Sequence, residues 1–170
     1  DDQVDAVATL ESLREGGEAL VVEADRGRGK SSAAGLAGAS LALDGADVLV
    51  TAPEYRNAAE VFARAVDLLA DLGELAGRDR ASDPHRIETE TGSVRYERPT
   101  DAAGLPADPD CVIVDEAAAL PVRLLERFLG AESVAFATTI HGYEGAGRGF
   151  SVRFRERLSE SRHDVTDVRL

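Results

Sequence analysis

Lys30 is the only lysine among 19 Lys and Arg residues in this 170-residue chain, and it closes the string Ala24-Asp25-Arg26-Gly27-Arg28-Gly29-Lys30-Ser31. The string fits the phosphate-binding pattern G-x-x-x-x-G-K-[ST], with Ala24 where the first glycine would stand. In such a turn the backbone N–H groups point inward around phosphate oxygens, and the following helix adds partial positive charge from its N-terminus. Gly27 and Gly29 permit tight curvature and a close approach that a Cβ would block. Lys30 is placed to bridge the β- and γ-phosphates of a nucleotide, and Ser31 to ligate Mg²⁺. A second constellation complements the first. Cys111-Val112-Ile113-Val114-Asp115-Glu116-Ala117 sets two carboxylates at the end of an apolar strand. Asp115 would hold Mg²⁺ directly or through water, and Glu116 would orient and deprotonate the water that attacks the γ-phosphorus. Taken alone, the acidic pair also reads as the cap of a helix starting near Pro121.

These groups need strands that end together and helices that start beside them. Apolar Ala19-Leu20-Val21-Val22 reads as a buried strand before the glycine turn, and an Ala/Leu-rich helix pattern runs from Ser31 to Leu43. Residues 2–15 show a helical stripe of Val4, Val7, Leu10 and Leu13. Further strands are expected over 47–52, 111–114 and 133–138, with helices over about 56–72, 121–129 and 149–160. Residues 73–84 and the proline-marked stretch before Cys111 read as loops. Residues 87–96 alternate around a Thr-Gly turn as a hairpin, and the last seven residues could begin a strand. Strands alternating with helices predict an α/β fold: a mostly parallel sheet with helices on both faces and ligands at the carboxyl ends of the strands.

Other residues at those strand ends keep two readings each. In Ala137-Thr138-Thr139-Ile140-His141-Gly142-Tyr143-Glu144-Gly145-Ala146-Gly147-Arg148-Gly149-Phe150, Thr138 or Thr139 could contact the catalytic water or Glu116. Arg148 either reaches the nucleotide phosphates or is a solvated loop arginine. His141 reads better as a surface or packing residue than as a base. The Gln3 amide offers the donor and acceptor needed to read adenine, but an ordinary exposed glutamine fits equally. The segment from Thr51 to Asn57 resembles the helicase segment that touches a nucleic-acid backbone, which would make Thr51, Arg56 and Asn57 phosphate donors, while Asn57 also fits a helix N-cap.

Composition sets bounds. The length suits one domain with a single core. One cysteine, Cys111, rules out an internal disulfide framework and a cysteine-based zinc cluster, and its place on an apolar strand favours a buried bystander over a nucleophile. No apolar run approaches the roughly 18 residues of a membrane span, and no secretory pattern opens the chain, so a soluble cytoplasmic protein without membrane partners is expected. The chain starts at Asp1 and not at Met, as expected of a piece of a longer polypeptide. A net charge of −13 would ordinarily argue against nucleic acid. With lysine nearly absent, however, the composition resembles that of salt-loving archaeal proteins, whose surroundings screen charge within about 3 Å at about 1 M salt.

The strings Arg-Gly-Arg-Gly-Lys-Ser, Val-Asp-Glu-Ala-Ala-Ala-Leu-Pro and Gly-Tyr-Glu-Gly-Ala-Gly-Arg-Gly-Phe together resemble the ATPase, helicase-like module of the tRNA(Met) cytidine acetyltransferases, related to RecD-type superfamily 1 helicases. The resemblance runs from Gln3 to about Phe154. It implies a single RecA-like P-loop NTPase domain with ATP and Mg²⁺ as cofactors, with ATP held by Gln3, Arg26, Gly27, Arg28, Gly29, Lys30, Ser31, Ser32 and Arg148. It implies catalysis by Lys30, Asp115 and Glu116, and Mg²⁺ on Ser31 and Asp115. It further implies tRNA or another RNA as partner, and acetyltransferase and tRNA-binding domains elsewhere in the same polypeptide. Two other classes compete: a DNA helicase or translocase lobe, and a nucleotide-binding switch that hydrolyses nothing. Retention of Glu116 disfavours the switch. No guanine-reading Asn/Thr-Lys-x-Asp string is present, which favours ATP over GTP.

Overall fold

The computed structural model describes residues 2–27, 29–140 and 149–170. Eight strands form one sheet in the order β3-β4-β5-β2-β6-β7-β1-β8. The strands are β1 (Glu18–Asp25), β2 (Asp47–Thr51), β3 (Gly77–Arg78), β4 (Arg86–Glu88), β5 (Ser93–Tyr96), β6 (Cys111–Val114), β7 (Val134–Ile140) and β8 (Asp164–Arg169). From β5 to β8 every pairing is parallel, while β3, β4 and β5 meet antiparallel at one edge. The helices are α1 (Asp2–Glu11), α2 (Lys30–Leu43), α3 (Tyr55–Asp71), α4 (Pro99–Ala102), α5 (Val122–Phe128) and α6 (Val152–Glu160).

Side chains alternate across a strand, so each strand feeds two cores. Leu20, Val22, Val48, Val50 and Ile113 face α1, α2 and α3. Val21, Leu49, Val112, Val114 and Phe136 face α4, α5 and α6. Near-continuous apolar strands are the expected consequence of a sheet covered on both faces. The helical layer over α2 is thin because α2 is rich in Ala and Gly. A Cβ on Gly35 would run into the Val61 carbonyl and the Arg64 Cβ, so α3 lies directly against α2 at that point.

Several details differ from the sequence pattern. The first helix stops at Glu11 and tightens into a 3-10 turn over Ser12–Glu15. Its buried side carries Ala6, Leu10 and Leu13, whereas Val4 is 63% exposed. Helix α6 begins at Val152 because the Ser151 hydroxyl accepts from the Phe154 N–H at 3.2 Å, an N-cap that fixes the start. The loop over 73–84 contributes the two-residue β3, and the stretch before Cys111 holds the short α4 behind Pro99. The terminal strand forms and pairs with β1 along Glu18–Glu23. Among the described residues, no helix is long and apolar enough to cross a membrane.

Candidate functional site: a phosphate-sized cleft at the strand ends

Strand β1 remains regular through Asp25, with Ala24 opposite Thr139 and Asp25 opposite Ile140. Ala24 is therefore ordinary extended backbone, buried to 1% exposure, which explains why alanine serves where the usual pattern has glycine. The chain then turns through Arg26 and Gly27, and Gly29 takes φ of 84° immediately before α2. That left-handed conformation favours glycine, and a Cβ there would also strike the Gln3 side chain. Gln3 Nε2 donates to the Gly29 carbonyl at 3.3 Å, tying α1 to the turn.

The carboxylates arrive from β6. Asp115 N–H donates to Thr51 O at 2.8 Å, which extends the β2–β6 ladder by one rung. Asp115 is fully buried. Glu116 then adopts φ of 51°, a left-handed conformation that non-glycine residues take at a cost of order 1 kcal/mol and that tends to mark functional positions. Lys30 Nζ lies 2.7 Å from Asp115 Oδ1 and 2.5 Å from Glu116 Oε1. Ser31 Oγ donates to Asp115 Oδ2 at 2.7 Å, and Glu116 N–H donates to Asp115 Oδ1 at 2.9 Å. Burial alone would lower the Lys30 pKa, but the charges and hydrogen bonds of Asp115 and Glu116 outweigh it and hold the ammonium above its ordinary value.

The hydroxyl left open between Thr138 and Thr139 resolves by strand alternation. Thr139 Oγ1 donates to Glu116 Oε1 at 2.7 Å, whereas Thr138 is buried on the opposite side of β7. The turn, Lys30, Ser31, Ser32, Glu116 and Thr139 line one open cleft of about 290 Å³, to which Asp25, Arg26 and Glu60 also contribute. Arg28 and Arg148, with His141 and the rest of that glycine-rich loop, lie outside the described residues. Of the residues expected to hold ATP or Mg²⁺ or to catalyse, Arg26, Gly27, Gly29, Lys30, Ser31, Ser32 and Glu116 line the cleft, and Gln3 and Asp115 touch its walls.

Outside the cleft, Thr51 is buried and donates its hydroxyl to Glu97 O at 2.6 Å. Asn57 is not the N-cap: α3 starts at Tyr55 with Glu54 at that position, and Asn57, three residues on, accepts at Oδ1 from Glu54 N–H at 3.0 Å in a reciprocal capping box. Arg56 remains exposed and pairs with Glu54 at 2.9 Å. Cys111 is buried, which pushes its thiol up to about 12 and leaves it inert as a nucleophile. Glu60, which lines the cleft, and Arg64, which touches its wall at Ser32, carried no motif signal. Arg64 of α3 donates from Nε to Ser32 Oγ at 2.9 Å, and Glu60 lies one turn earlier. Only their spacing on the polar side of an amphipathic helix could have flagged them.

This architecture is the P-loop NTPase fold. The large terminase of a thermophilic bacteriophage has the same fold at a TM-score of 0.68 and 11% identity, over 99% of this chain and 45% of that one. The Thermus phage P74-26 large terminase ATPase domain follows at 0.56 and 16% identity, over 89% of this chain and 74% of that one. The sequence is more specific than the fold. Residues 21–170 match the model of the RNA cytidine acetyltransferase NAT10/TcmA helicase domain, and the chain belongs to this family. It is 66% identical over 169 residues to the tRNA(Met) cytidine acetyltransferase TmcA of Haloarcula marismortui, and 62% identical over 169 residues to that of Haloferax volcanii. Each alignment takes in 99% of this chain but only 22% of the relative.

Proposed function

We propose that the cleft binds ATP and hydrolyses it, and that the hydrolysis drives RNA handling within a tRNA cytidine acetyltransferase. The observation that carries the reading is the position of Lys30. Its side chain, 9% exposed, ends in an ammonium that rests on two acidic side chains at the mouth of a glycine turn. A polyphosphate entering the turn offers oxygens of the same charge within reach of the same Nζ. On this reading Gly27, Gly29 and the backbone of Lys30, Ser31 and Ser32 cradle the phosphates, with Arg26, Arg28 and Arg148 as flanking cations. Gln3, anchored on the Gly29 carbonyl, stands at the nucleoside end.

Ser31 Oγ and Asp115 Oδ2 are hard oxygen donors 2.7 Å apart, a pair that fits Mg²⁺ together with phosphate oxygens. A bound Mg²⁺ supplies charge neutralisation on the phosphates. Once Lys30 turns to phosphate, Glu116 keeps the Thr139 hydroxyl and is released from the ammonium. The carboxylate is then held in place to take the proton of the attacking water. The family assignment and the 22% share of the relatives' length support a role as one module of a longer tRNA-modifying polypeptide.

The test is phosphate release by the purified chain with Mg²⁺ and ATP in concentrated KCl, with and without tRNA, beside Lys30→Ala. The expected result is release that tRNA stimulates, duplex DNA does not, and the variant lacks. Release that survives Lys30→Ala would remove the assignment.

A further inference from the structure

Helix α2 opens with two serines whose hydroxyls part company. Ser31 turns toward Asp115, just past the end of β6, and Ser32 turns toward Arg64 on α3. Consecutive helical side chains diverge by about 100°, so the two hydroxyls mark opposite flanks of the phosphate cradle. The Ser31 flank carries Lys30, Asp115 and Glu116, which is the terminal-phosphate end on the reading above. The Ser32 flank is then the nucleoside end. Glu60, on the same face of α3 as Arg64, lines the cleft there with a carboxylate that disfavours the most highly charged part of a nucleotide.

We propose that Arg64 is a positioning residue for the α-phosphate, acting through Ser32; the inference rests on the ATP-binding reading. Arg64 Nε donates to Ser32 Oγ at 2.9 Å, so the hydroxyl oxygen is engaged as an acceptor and its proton is left to donate outward. The recipient is one non-bridging oxygen of the α-phosphate. The guanidinium lends positive charge to the same contact without touching the nucleotide. The close fit of α3 on Gly35 holds Arg64 in place, and its outer nitrogen Nη1 lies 3.7 Å from Asp67. Arginine suits the contact because its Nε–H lies in a rigid guanidinium plane that fixes the donor's direction, whereas a lysine ammonium, one atom further along a flexible stem, does not.

The test uses ATP and the two ATPαS diastereomers, in which sulfur replaces one or the other non-bridging α-oxygen, titrated with Mg²⁺ onto the chain, Arg64→Gln, Ser32→Ala and the double variant. Hydrogen bonds to charged groups imply that each single variant binds ATP about 10-fold more weakly. The parent chain prefers one diastereomer, the variants narrow that preference, and the double variant is no weaker than the poorer single one. Thermal midpoints close to the parent separate these effects from unfolding, and Arg64→Lys does not restore the preference. An unchanged diastereomer preference in both single variants, or losses that add, would overturn the proposal while leaving ATP binding intact. A parent chain that binds no ATP, or a Lys30→Ala variant that binds it equally well, would overturn this proposal and the reading beneath it together.

Discussion

At the amino end of β2, Asp47 meets Arg95; at the carboxyl end of β6, Asp115 and Glu116 meet Lys30. Both are largely buried ion pairs on the same sheet, but they are built for different purposes. Arg95 grips Asp47 with Nε at 3.0 Å and Nη2 at 2.9 Å, and the same Nη2 donates to Pro106 O at 2.6 Å. Ser93 Oγ adds a further bond to Asp47 at 2.8 Å. A planar fork fixed at several points has one arrangement, and it ties β5, β2 and the 106 loop together. Lys30 is a point charge on a flexible stem, shared between two carboxylates beside an open cleft. Such a cation can exchange partners. The fork serves stability; on the proposed function, the ammonium trades carboxylate for phosphate.

Substitutions test that division, and the largest effect belongs to the exchangeable pair. Lys30→Ala is expected to lower the rate of ATP hydrolysis by about 10²–10³-fold or more, since it removes a preorganised positive charge from the developing phosphoryl charge; steady-state phosphate release measures it. Glu116→Gln follows, with hydrolysis reduced by about 10²-fold while ATP affinity is kept, which separates the base from the binding groups. Titration and turnover on one preparation would show the split.

The fork predicts the converse. Arg95→Ala leaves Asp47 poorly partnered and is expected to cost about 2–3 kcal/mol in urea unfolding, with nucleotide affinity unchanged. Burial tends to raise the Asp47 pKa, but the Arg95 and Ser93 hydrogen bonds and the Arg95 charge hold it below its ordinary value of 3.8. A lowered carboxyl binds fewer protons in the folded than in the unfolded chain. Its contribution is therefore complete above about pH 4 and is lost as the pH falls through the depressed value. Acid unfolding curves of the parent and Arg95→Ala should converge in that range, the smallest of these effects; curves that stay parallel would show that the fork carries no such linkage.

Much of the exchangeable site was legible before any coordinates because its parts are local. The turn from Asp25 to Ser31 and the Asp115-Glu116 step each lie within a few residues of an apolar strand, and a parallel sheet brings such ends together. The fork was not legible, since Asp47 and Arg95 meet only through the β2–β5 register. Arg64 was missed for the same reason: it reaches Ser32 because Gly35 lets α3 close on α2. In α1, Val4 and Ala6 lie on neighbouring helical stripes that both fit the apolar period. Size favoured the wrong one, because the tight contact of α1 with α2 and the glycine turn admits the small Ala6 and leaves Val4 in solvent. Thr138 and Thr139 could be told apart only by which face of β7 each occupies.

The central claim, that Lys30 exchanges carboxylates for phosphates, is tested most directly by calorimetric titration of Mg²⁺ and ATP onto the chain and onto Lys30→Ala in concentrated KCl. The account predicts saturable one-to-one binding by the parent chain that the variant loses. Equal binding by both, or none by the parent, would contradict it.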